Sequence, residues 1–95
     1  MIKRIEMVLP NYEVIIEENK GLINNMEIHI KDEDIKDIIR IIRNWKKEYK
    51  SKTIDNMYSI RVISDSEETV YKFIDDFPDD YYLLEELLGV LYDRR

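Results

Sequence analysis

Residues 32–50 read DEDIKDIIRIIRNWKKEYK, and the reading of this stretch decides the fold. Wound at about 100° per residue, Ile35, Ile38, Ile39, Ile41, Ile42, Trp45 and Tyr49 fall within one arc of roughly 160°, wide enough to lie across a sheet. Lys36, Arg40, Arg43, Lys47 and Lys50 collect on nearly the opposite side. Asp32, Glu33 and Asp34 open the stretch, where backbone N–H groups without partners favour negative charge. Lys46, Lys47 and Lys50 close it, where positive charge is favoured. The isoleucines are β-branched and give up a few tenths of a kcal/mol each in helix propensity. Burial returns roughly 1.5–3 kcal/mol for each fully covered side chain. The stretch therefore predicts an amphipathic helix over residues 32–50.

On its N-terminal side the period changes to two. Over residues 2–9, Lys3, Ile5, Met7 and Leu9 share a face. Pro10-Asn11 interrupts the run. Residues 12–18 then resume it, with Tyr12, Val14 and Ile16 on one side, which predicts a hairpin. Asn19-Lys20-Gly21 reads as the next turn, with glycine free to take positive φ. Residues 22–30 read as a third strand with Met26, Ile28 and Ile30 inward.

On the C-terminal side, residues 51–56 form a polar connector with a turn at Asp55-Asn56. Residues 58–63 alternate as a strand. Residues 64–77 admit two readings. As a helix, Ser64 and Glu67 form a capping box, and Val70, Phe73, Ile74 and Phe77 share a face. As a hairpin, residues 65–68 turn and residues 69–74 form a strand of high β-propensity. The hairpin is favoured because the preceding strand needs a partner for its backbone groups. Phe77-Pro78 ends that element. Residues 79–91 predict a second helix with Leu83, Leu84, Leu87, Leu88 and Leu91 on one face, and with Gly89 as a close-packing point or a site of fraying. Together these elements predict one α+β domain over residues 1–95, an antiparallel sheet of four to five strands with two helices on one face, in the order β-β-β-α-β-β-α.

Charge is unevenly spread. The net charge is −6; residues 31–52 carry +3, whereas residues 65–95 carry −7. A net negative chain opposes general affinity for nucleic acid or anionic membrane. There is no cysteine, hence no disulfide and no thiolate metal site. No segment has the length and apolarity of a signal peptide or a membrane span, so the expected compartment is the cytoplasm.

Conventional catalytic patterns are missing. His29 is the sole histidine, and its neighbour Glu27 leaves at most two ligands, too few for a zinc site. Ser51, Ser59, Ser64 and Ser66 lie in no GxSxG elbow, and two glycines exclude a glycine-rich phosphate loop. The acidic spacing near the C-terminus does not match a calcium loop. No catalytic residue, metal ligand or cofactor is assigned.

What remains is a surface. Asp75, Asp76, Asp79, Asp80, Glu85 and Glu86, with Tyr81 and Tyr82 as anchors, read as a contact patch for a protein partner with a basic surface, one that imitates nucleic-acid phosphates. Tyr71 and Tyr92 are further candidates for that surface. In character, being small, acidic, cysteine-free and without catalytic parts, the chain resembles phage-encoded inhibitors of bacterial defence, anti-CRISPR proteins among them, and toxin-immunity proteins. The resemblance implies a non-enzymatic inhibitor. A homodimeric interaction module, joined through a strand edge or a tyrosine patch, is the alternative.

Overall fold

The computed structural model describes residues 1–52 and 56–94. Asp55 of the expected turn lies outside the described residues. Among these residues, seven strands form one sheet: β1 (Ile2–Val8), β2 (Glu13–Glu17), β3 (Lys20–Ile23), β4 (Met26–His29), β5 (Glu48–Lys50), β6 (Met57–Ser64) and β7 (Glu68–Ile74). Two helices, α1 (Asp32–Ile42) and α2 (Tyr81–Tyr92), complete an α+β fold. The order across the sheet is β4-β3-β2-β1-β6-β7-β5. Neighbours are antiparallel except β5, which runs parallel to β7. The expected sheet of four to five antiparallel strands is therefore too small and not mixed.

Register explains which face is buried. Ile5 sits between Ile16 and Val62, and Met7 between Val14 and Ile60. Ile23 and Ile28 extend this apolar face on one side, Tyr71 and Phe73 on the other. Side chains alternate along a strand, so the residues between them all point the other way. Ile38 and Ile42 of α1 and Leu84, Leu88 and Leu91 of α2 join the same buried cluster.

The first extra strand comes from a turn that the sequence analysis passed over. Asn24 and Asn25 both adopt positive φ, 50° and 68°, and Ile23 pairs with Met26 across them. Asparagine tolerates this region better than most residues, and here its side chain is held from the neighbouring strand: Asn24 Oδ1 accepts from the Glu13 N–H at 2.8 Å. Residues 22–30 thus hold the end of β3, the Asn24-Asn25 turn and β4, and not one strand. The preceding turn also differs. It is Glu18-Asn19, with Glu18 at φ 56°, while Gly21 lies inside β3 without positive φ. Gly21 is needed for space: a Cβ there would stand 2.6 Å from Cγ1 of Ile30.

The second extra strand comes from the stretch that opened the sequence. The helix stops at Ile42, with Arg43 as its C-cap, and the chain turns back to form β5. Trp45 and Tyr49 are still covered, but against aromatic rings. Trp45 meets Phe73 edge-on at 5.9 Å and Tyr49 stacks on it at 5.8 Å. Phe77 stacks on the same ring at 5.3 Å and lies 4.4 Å from Tyr81. The supposed basic stripe is split accordingly: Lys36 and Arg40 lie on α1, Lys47 sits 4.5 Å over the Tyr71 ring, and Lys50 is in β5.

The hairpin reading of residues 64–77 holds. The Ser64–Glu67 spacing closes the β6–β7 turn, where the Ser64 hydroxyl donates to the Glu67 carbonyl at 3.1 Å and accepts its N–H at 3.2 Å. Gly89 lies against the Tyr12 hydroxyl, 3.2 Å from where a Cβ would stand.

Among the described residues, one charged group is buried with the core. Asp34, 4 % exposed, accepts the Lys31 N–H at 2.9 Å and an Arg94 Nη1 bond at 2.6 Å. Burial by itself raises the Asp34 pKa, but the Arg94 and Lys31 hydrogen bonds outweigh it, and the net displacement is downward. A depressed carboxylate stabilises the fold above its unfolded value, about 3.9, and that contribution is lost as pH falls through the lower folded value. Arg94→Ala should therefore lower unfolding free energy by roughly 1–3 kcal/mol at neutral pH, and the gap should narrow as pH falls below the unfolded value and through the lower folded one, as measured by urea unfolding at several pH values.

Candidate functional site

Helix α2 reads YYLLEELLGVLY, in which every position but Glu85, Glu86 and Gly89 is apolar or aromatic. Such a helix has no single preferred face, so packing decides. Leu84, Leu88 and Leu91 are buried. Tyr82, Leu83 and Val90 are left 58 %, 39 % and 57 % exposed. With Glu86 these three share an arc of about 100° on the helix, turned from the core.

The structure divides the acidic and tyrosine residues that the sequence grouped. Asp80 accepts the Trp45 indole N–H at 2.8 Å and so anchors the aromatic cluster. Asp75, at φ 54°, bonds through its carboxylate to the Asn56 N–H at 3.2 Å. Tyr81 is half-buried among Trp45, Phe73 and Phe77, and its hydroxyl donates to Glu85 at 2.9 Å. Burial and the Glu85 carboxylate push the Tyr81 pKa well above the ordinary phenol range, so it stays a neutral donor. Glu85 also accepts from Asn11 at 3.3 Å. Tyr71 is buried and Tyr92 is half-buried. Asp76, Asp79, Tyr82 and Glu86 are exposed, and they lie beside or within α2. Leu83 and Val90, which the sequence analysis did not place at a surface, complete this patch.

The sheet face opposite the helices is also open. A line of charge crosses four strands there: Glu17 to Arg4, Arg4 to Glu6 at 2.6 Å, Glu6 to Arg61 at 3.8 Å, and Arg61 to Glu68 at 3.4 Å. The two carboxylates beside Arg4, Glu6 before Glu17, raise its pKa and keep it charged. Beside this ladder an open groove of ≈ 730 Å³ runs over β2, β3 and β4, lined by Ile15, Lys20, Leu22, Glu27 and His29 among others. Glu27 and His29 do share a strand face, as their spacing implied. No group of three or more His, Asp or Glu side chains among the described residues could hold a metal ion. No helix among them is long and apolar enough to cross a membrane.

Comparisons with protein-family models, with curated proteins and with solved structures find no match to this chain. Functional inference therefore rests on the surface itself.

The division between tied and free carboxylates can be measured. Asp80→Ala strands the Trp45 N–H and should cost roughly 1–3 kcal/mol in chemical denaturation, whereas Asp76→Ala and Glu86→Ala should stay within about 0.5 kcal/mol of the parent.

Proposed function

We propose that this chain is a small acidic, non-enzymatic binding protein that blocks a larger partner by covering a basic surface on it. The observation that carries the reading is the outward side of α2. Tyr82, Leu83 and Val90 present uncovered apolar area, Glu86 lies on the same arc of the helix, and exposed Asp76 and Asp79 lie in the segment that leads into it. An apolar centre with a charged rim is how protein interfaces are generally built, and tyrosine is among the residues that carry most binding energy. The −7 of residues 65–95 adds a long-range field that steers a cationic partner onto the patch. A groove that otherwise holds nucleic acid is the basic surface this chemistry fits, which is the anti-defence reading of the sequence.

The test separates rim from centre. A partner is recovered from the native cell extract on immobilised protein, identified by mass spectrometry, purified and titrated. With Asp76→Lys/Asp79→Lys/Glu86→Lys, the association rate should fall by at least about tenfold at low salt, and the loss should shrink as salt is raised. With Tyr82→Ala, dissociation should accelerate, also by about tenfold or more. A purified partner whose affinity both variants leave unchanged would exclude this surface.

A further inference from the structure

We infer that the chain pairs with a second copy of itself through the free edge of β4. This goes beyond the proposed function and does not rest on it. In the β3–β4 hairpin, Ile23 pairs with Met26 and Gly21 with Ile28, and the Ile30 N–H donates to the Asn19 carbonyl at 3.2 Å. In an antiparallel ladder the bonded pairs alternate, so the peptide groups of Glu27 and His29 point away from β3. Strand β4 is the outermost strand, and both of these residues are exposed.

The two edges of the sheet are not treated alike. Strand β5 is three residues long and sits among Lys46, Lys47, Lys50 and Lys52, the kind of charge that deters strand addition. Strand β4, MEIH, carries neither lysine nor proline. Its pattern is also complementary to itself. With a two-fold axis through Ile28, Glu27 falls opposite His29 of the second copy, and His29 opposite Glu27. Both are pairs of the hydrogen-bonded kind, so each exchanges two backbone bonds and sets an acidic side chain beside an imidazole. An axis through Glu27 would oppose two glutamates, and an axis through His29 would leave half the strand unpaired. Charge favours this edge as well. Residues 1–30 carry only −2, so two acidic copies repel least where β4 meets β4.

Sedimentation equilibrium on the full chain, over a wide range of concentration at physiological salt, decides the matter. The mass should rise from 11.6 kDa toward twice that value. His29→Glu sets like charges against each other twice and should weaken dimerisation by about tenfold or more. The exchange Glu27→His/His29→Glu restores both pairs and should return the parental constant. Glu27→Pro removes an outward N–H without touching the β3 ladder and should leave a folded monomer by circular dichroism. Should that variant fail to fold, the His29→Glu and exchange variants decide alone. The inference is overturned by a parent that stays at 11.6 kDa, by a folded Glu27→Pro variant that still dimerises, by a His29→Glu variant with parental affinity, or by an exchange that restores nothing. Asp76→Lys/Asp79→Lys/Glu86→Lys should dimerise as the parent does, which keeps this result separate from the partner-binding test.

Discussion

Two short helices have to cover one side of a wide sheet. Seven strands at about 4.8 Å spacing span nearly 30 Å, whereas helices of 11 and 12 residues are each about 17 Å long and 10 Å across. The helices alone do not close that face. Trp45, Tyr49, Phe77 and Tyr81, gathered around Phe73, close the β7 end of it with rings where helix is lacking. This explains why the chain gives up helix after Ile42. Carrying the helix on to Lys50 would remove Tyr49 from Phe73 and take away the third strand beyond β1 on that side.

The same shortage accounts for what the sequence revealed and what it hid. Period two was readable wherever one strand face meets the core and the other meets water, as in β1, β2, β6 and β7. The helical period was likewise readable at the start of α1, where isoleucines at helical spacing follow acidic residues. It failed over residues 43–50, because Trp45 and Tyr49 are apolar in either period and only contact with Phe73 decides between them. It failed again at Asn24-Asn25, whose left-handed conformation is held by the Glu13 N–H from another strand. Local propensity cannot anticipate a bond supplied across 11 positions of sequence.

The candidate site was legible in kind but not in detail. Clustered carboxylates and tyrosines after residue 74 were evident from composition. Which of them serve the fold was not, since that depends on Trp45 and Asn11 arriving from distant parts of the chain to bond Asp80 and Glu85. Helix α2 hid its outward face for a different reason. In a helix that is apolar nearly all round the wheel shows no sharp margin, so Leu83 was grouped with Leu84, Leu88 and Leu91, which packing buries, although it stands at the edge of that face and is left 39 % exposed.

The fold also keeps its two uncovered features apart. Helix α2 starts beside Phe73 and Phe77, at the β7 end of the sheet, and extends until it contacts β4 at the other. The free carboxylates lie at its start or in its first turns, and the unprotected edge lies near its far end. Pairing across β4 would therefore leave both acidic patches outward, one on each flank of a continuous sheet. A partner offering two basic sites at matching separation would then be held by both copies, and binding at the first site would raise the effective concentration at the second without any new contact. The weak point of a chain this small is that each patch has few apolar side chains to bury. Bivalence would be the physical route by which such a surface gains affinity while its core stays the size that two short helices can cover.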